Sequence, residues 1–254
     1  MKQPVSLLVA EVDDCIGKIV GYQRRAGRRV ADRIKRSRKG PAGMADLQQF
    51  GLPIPEDFAA LYEHFNGVPS GGHLSFWESA VFLDAMWPDT ALLKSWNEII
   101  RLERQLRADR TIKVFRATLG VSYDLMPDMA ENGEIPLVAN LGPLSHRTFI
   151  AFDSTLAMLR SVCAAHEAGL IGYAAERMPF FGPFGRDVER NETLFDPKDL
   201  AGLIRKFNRR AEYWSMLAEG PVDWQEIPRK PPESGPLNLD PAVRAIVLGD
   251  MLKE

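Results

Sequence analysis

Apolar residues recur three and four positions apart at Val5, Leu8, Val9, Val12, Ile16, Ile19 and Val20, so the first twenty residues are expected to form an amphipathic helix despite Gly17. The pattern continues more weakly through Tyr22, Ala26, Val30 and Ile34, and Gly40-Pro41-Ala42-Gly43 ends it. A second helix reads from Pro55, which suits a first helical turn. Glu56 and Asp57 follow at its positive end, and Phe58, Leu61, Tyr62 and Phe65 form one aromatic-rich face that needs a packing partner. Asn66-Gly67 supplies residue types that tolerate the left-handed conformation closing a helix.

Further along, Gly71-Gly72 turns into a short strand at His73 to Trp77, and Val81-Phe82-Leu83 is compatible with strand or helix. Pro88 and Asp89 open a long helix with Leu92, Leu93, Trp96, Ile99, Ile100 and Leu106 inward. Strands are expected at Ile112 to Thr118, Ile135 to Asn140 and Arg147 to Phe152. Asp153 or Ser154 caps a helix that ends near Gly169, with Leu156, Leu159, Val162 and Cys163 inward. Pro179 to Gly185 reads as a loop. Asp196-Pro197 starts a last core helix carrying Leu200, Leu203, Ile204, Phe207 and Trp214, and the prolines from Pro228 to Pro241 form a linker to a short helix at Val243 to Leu252.

The chain of 254 residues, 26% charged and 45% apolar, has the composition of a globular protein able to bury a sizeable core. No run approaches a membrane span, and acids at positions 11, 13 and 14 interrupt the only signal-like start. Cys15 and Cys163 each sit in an apolar helical pattern, which implies buried free thiols and a cytoplasmic location. The net charge of −2 hides an asymmetry. Residues 1–50 hold eleven basic and five acidic side chains, a surplus of six, so the rest of the chain carries a deficit of eight.

The run Leu52-Pro53, the acidic aromatic helix Glu56 to Phe65, and Asn66-Gly67 resembles the opening signature of the SUKH superfamily, the Smi/Knr-type fold of cell-wall regulators and bacterial toxin-immunity proteins. The resemblance extends more weakly through Gly72 to Trp77, Ile135 to Val138 and Phe149 to Asp153, about two thirds of the chain. Leu141 to His146 stands where the family has a glycine-rich hairpin, and the helical insert before Ile112 is unusual for it. The resemblance implies an α+β fold: a single SUKH-like domain over residues 44–227 with a twisted antiparallel or mixed sheet packed by helices. Residues 1–43 then form an amphipathic and basic helical extension, and residues 228–254 a proline-rich linker with a short C-terminal helix.

No strong enzyme motif is present. His64, His73, His146 and His166 match no metal-ligand spacing, and Walker and dinucleotide-binding glycine patterns are absent, so no metal, cofactor or catalytic residue is expected. Glu56, Asp57 and Glu63 read as a solvated helix face instead of an acid and base set. The function implied by the resemblance is that of a non-enzymatic protein-binding module, an immunity-type protein that sequesters a toxin domain. Glu78, Asp84, Trp87 and Asp89 are the expected contact patch, an aromatic anchor ringed by acids. The alternative is a nucleic-acid-associated regulator acting through the basic segment 24–39, with Arg24, Arg25, Arg28, Arg29, Arg33, Lys35 and Arg36 as phosphate contacts. A third reading is a metal-dependent hydrolase assembled from His64, His73, His146 and Asp153.

Overall fold

The computed structural model describes residues 5–28, 30–34, 54–68, 80–83, 85–94, 96–97, 111–116, 121–140, 148–178 and 188–219. The N-terminal periodicity produces α1 (Val5–Arg25), whose Val12, Ile16 and Ile19 are fully buried while Gly17 faces outward. Gly27, at φ +75°, breaks the helix, and the short α2 (Val30–Arg33) follows. The aromatic helix is α3 (Glu56–His64), with Phe58, Leu61 and Tyr62 in the core.

Among the described residues six short strands form one sheet. They are β1 (Ala80–Phe82), β2 (Ala85–Met86), β3 (Ile112–Arg116), β4 (Ser122–Leu125), β5 (Leu137–Asn140) and β6 (Thr148–Phe152), and they pair in chain order, each antiparallel to the next. The sheet is therefore an antiparallel meander. Its register places Ile112, Leu125, Leu137 and Phe152 in one row and Phe115, Tyr123, Ala139 and Phe149 in the next, on a single apolar face. The opposite face carries Lys113, Asp124, Val138 and Ile150, then Arg116, Ser122, Asn140 and Thr148.

Helices cover the apolar face. Phe58 of α3 meets Phe115 edge-on at 6.1 Å between ring centroids. α4 (Thr155–Glu167) lies against α1 and α3, and its Leu156, Leu159, Val162 and Cys163 are buried. Two shorter helices, α5 (Pro197–Ile204) and α6 (Glu212–Ala218), close the other end, where Trp214 packs on Phe152 and donates from Nε1 to the carbonyl of Ala151 at 2.9 Å. The helix assigned to an N-terminal extension thus shares one apolar cluster with the sheet, because Leu8, Val12, Ile16 and Ile19 belong to it.

Between α4 and α5 the chain makes a two-stranded hairpin, β7 (Gly172–Met178) and β8 (Val188–Leu194), which among the described residues pair only with each other. The expected Pro179 to Gly185 loop lies outside the described residues, as do the His73 to Trp77 strand, the C-terminal part of the helix opened by Asp89, and residues 228–254. Among the described residues no helix is long and apolar enough to cross a membrane.

The caps account for several boundaries. Ser154, not Asp153, caps α4, its hydroxyl accepting from the N–H of Ala157. Asp57 completes that end from α3, since its Oδ2 accepts from the N–H of Leu156 at 2.8 Å. The expected solvated carboxylate is thus a half-buried group: desolvation raises its pKa above the ordinary carboxylate value, and the N–H donors of Leu156 and Phe58 oppose that shift. Asn66-Gly67 acts beyond the helix end, because α3 has already stopped at an extended Phe65. Gly67, at φ +57°, lets the backbone of Pro88 approach, and Asn66 Oδ1 accepts from the N–H of Thr90 at 3.1 Å.

Candidate functional site

The two surfaces expected from the sequence fare differently in three dimensions. Trp87 is fully buried, ringed by Tyr62, Phe65 and Phe82, and forms no part of an exposed patch. The physical reason is that Tyr62 of α3, whose hydroxyl donates to the Pro88 carbonyl at 2.9 Å, and Phe82 of β1 both pack on this segment, which leaves the indole at the centre of the aromatic cluster. Asp89 caps the helix that follows, its Oδ1 accepting from the N–H of Leu92 at 2.9 Å. Glu78 and Asp84 lie outside the described residues.

The basic segment is divided in the same way. Arg24 pairs with Asp32 at 2.8 Å, and Arg33 is exposed. Arg25 lies 4.4 Å above the ring of Tyr22, while Arg28 is 2% exposed and lies 4.6 Å above Tyr173. Between these cations Tyr22 stacks on His166 at 5.1 Å and 3°, and the Tyr173 hydroxyl lies 3.2 Å from His166 Nε2. The result is a ladder, Arg25–Tyr22–His166–Tyr173–Arg28, that ties the end of α1 to the end of α4 and the base of the hairpin. Burial, then Arg28 and Arg25, push the His166 imidazole down to about 4, so it is neutral at physiological pH. Arg28 is therefore an internal packing group instead of an exposed phosphate contact. Arg29, Lys35 and Arg36 lie outside the described residues.

A third region, not singled out by the sequence, combines rigidity with exposed charge. Asn208, 1% exposed, accepts from the N–H of Asp153 and donates to Ser161 Oγ and to the carbonyl of Ile204, each at 2.9 Å. The Asp153 carboxylate accepts from the N–H groups of Arg209 at 2.7 Å and Arg210 at 3.1 Å. Both polar groups thus hold the α5–α6 connection against the start of α4. Asp153, expected as a helix cap or a metal ligand, has both oxygens committed to this duty.

Facing the connection is the turn Glu131–Glu134, in which Asn132 at φ +54° and Gly133 at φ +84° give the mirror-type turn that Asn-Gly favours. Arg210 bridges the two walls: Nη1 donates to the carbonyl of Met129 at 3.0 Å and lies 3.2 Å from Glu131. A cleft of about 480 Å³ opens between them, lined by Glu131, Glu134, Arg160, Lys206, Phe207 and Arg209 among others. Arg160 is paired with Glu11, whereas Lys206 and Arg209 have no ion-pair partner among the described residues. Phe207, expected in the core, is 39% exposed because α5 ends at Ile204 and the connection turns it outward.

The cleft offers the Phe207 ring, the acids Glu131 and Glu134, and two cations, Lys206 and Arg209, that have no ion-pair partner among the described residues, on a backbone that is already ordered. These groups suit recognition of a partner with mixed charge. Among the described residues no group of three or more His, Cys, Asp or Glu stands close enough to hold a metal ion, and of the residues suggested for a hydrolase, His73 and His146 lie outside them. The signals that could have found the cleft are Asn132-Gly133 and the run Arg205-Lys206-Phe207-Asn208-Arg209-Arg210, in which an aromatic sits among four cations. A scan against protein-family models finds no match to the chain, and a search of curated proteins finds none either.

Proposed function

We propose that this chain is a non-enzymatic protein-binding module, an immunity-type protein that sequesters a toxin domain as the SUKH-like signature implies. The observation that carries the reading is the cleft beside the α5–α6 connection. Its Phe207, Lys206 and Arg209 project from a backbone pinned by Asp153 and Asn208, so little further order is lost when a partner docks. Inhibition of the partner is steric and electrostatic. The acids of the 131–134 turn disfavour a uniform polyanion along the same cleft, which argues for a protein partner over a nucleic acid there.

The test is co-expression with the toxin-like product of an adjacent gene. Wild-type protein is expected to rescue growth and to form a one-to-one complex, and Lys206→Glu with Arg209→Glu to weaken that complex at least tenfold while leaving the melting temperature unchanged. Killing that persists despite soluble, folded protein would overturn the reading. The second reading, a nucleic-acid-associated regulator, draws on the exposure of Arg24 and Arg33. It requires binding to arbitrary duplex DNA that falls steeply as salt rises, and a flat salt response would remove it.

A further inference from the structure

Two thiols are buried where α1 lies along α4, and the cleft uses neither. Cys15 and Cys163 are both free and each is 6% exposed. Their relative placement follows from the ion pairs on either side. Arg160 Nε meets Glu11 Oε1 at 2.6 Å, and Lys18 Nζ lies 3.7 Å from Glu167 Oε1. The first pair joins residues 149 positions apart, and 167 less 18 is the same interval. A constant offset means that the two helices run side by side in the same direction. Since 163 less 15 falls one short of that interval, the cysteines stand at the same level, between the two ion pairs. On α1, positions 11, 15 and 18 share a face, as do positions 160, 163 and 167 on α4, and the ion pairs bring those two faces together.

The electrostatics agree with this placement. The Cys163 thiol, which donates to Glu167 Oε1 at 3.8 Å, is pushed up to about 12 by burial first and by Cys15 next, ahead of Glu167. Cys15 is also raised, by burial and then by Glu11 and Asp14, while Lys18 and Arg160 act in the opposite sense.

We propose that Cys15 and Cys163 form a dithiol pair that closes into an intramolecular disulfide, pinning α1 to α4, when the protein meets a small disulfide such as oxidised glutathione. The thiolate of one cysteine attacks a sulfur of the glutathione disulfide, forming a mixed disulfide and releasing one glutathione thiolate. The other cysteine's thiolate then attacks the protein sulfur of that bond and expels the second glutathione. Two protein S–H groups are oxidised, one glutathione disulfide is reduced to two thiols, and both protons end on those thiols. Because burial keeps both cysteines protonated at neutral pH, closure is slow there and accelerates with rising pH.

The full-length protein is incubated with oxidised glutathione at about pH 8, quenched in acid, denatured, alkylated with N-ethylmaleimide and weighed intact. A monomer lighter by two hydrogens, without alkyl or glutathione adducts, is expected. It should melt several degrees above the reduced form, because the cross-link closes a loop of more than half the chain. Cys15→Ser and Cys163→Ser should each stop at a glutathione adduct, and Cys15→Ala gives the same readout if serine unfolds the core. Wild-type protein that stays fully alkylatable, retains glutathione, or cross-links only between molecules overturns the proposal.

Discussion

A methyl group at position 67 would lie 2.2 Å from the carbonyl oxygen of Pro88, with the backbone already at φ +57°, so neither space nor conformation admits a side chain there. Gly67→Ala is expected to destabilise the protein by roughly 2–4 kcal/mol in urea unfolding, through both the clash and the left-handed backbone. Asp57 shows a different kind of constraint, because its acceptor serves a helix 99 positions away in sequence. Asp57→Ala leaves the Leu156 N–H at the start of α4 without that partner and should cost about 1–3 kcal/mol. His166 makes stability depend on pH. Its folded pKa of about 4 lies below the ordinary value of 6.5, so below pH 6.5 the unfolded chain binds a proton that the folded chain refuses. The contribution is fully present above pH 6.5 and lost as pH falls towards 4, roughly 3 kcal/mol in all. Urea unfolding from pH 7 to pH 4 should show this loss, and His166→Phe should flatten that slope.

At the level of elements, strong periodicity translated directly into structure. α1, α3, α4 and α5 occupy the stretches where apolar residues recur at helical spacing, and β3, β5 and β6 fall within the β-branched runs. β4 is not legible in the sequence because Ser122 and Asp124 interrupt its apolar positions, yet both are buried, with Asn140 Nδ2 donating to Asp124 Oδ2 at 3.1 Å. β7 and β8 were equally hard to read. Charged residues interrupt both strands, and the register sets position 176 opposite 190 and 177 opposite 189, which is visible only once the pairing is known. The α5–α6 connection owes its shape to Asn208. Asn208→Ala deletes three buried hydrogen bonds and is expected to cost roughly 2–4 kcal/mol. Amide exchange at Arg209 and Arg210 should quicken in that variant beyond what the global loss of stability explains.

For the molecule as a whole, the consequence of a shared core is cooperativity. Since the inner face of α1 belongs to the same apolar cluster as α3, α4 and the sheet, the chain should unfold in one transition with α1 included. Removing residues 1–25 should abolish that transition in circular dichroism, instead of leaving a stable body behind. Local sequence was enough to place the principal helices and several strands, the inward faces of those helices and the burial of both cysteines, because periodicity and residue size act over a few neighbouring positions. Only the tertiary structure decided that Trp87 is core, that Arg28 lies beneath the surface against Tyr173, and that Asp153 and Asn208 brace an exposed Phe207. Those outcomes depend on groups tens of residues apart meeting in space, and burial, charge pairing and hydrogen-bond satisfaction are settled by such encounters instead of by spacing along the chain.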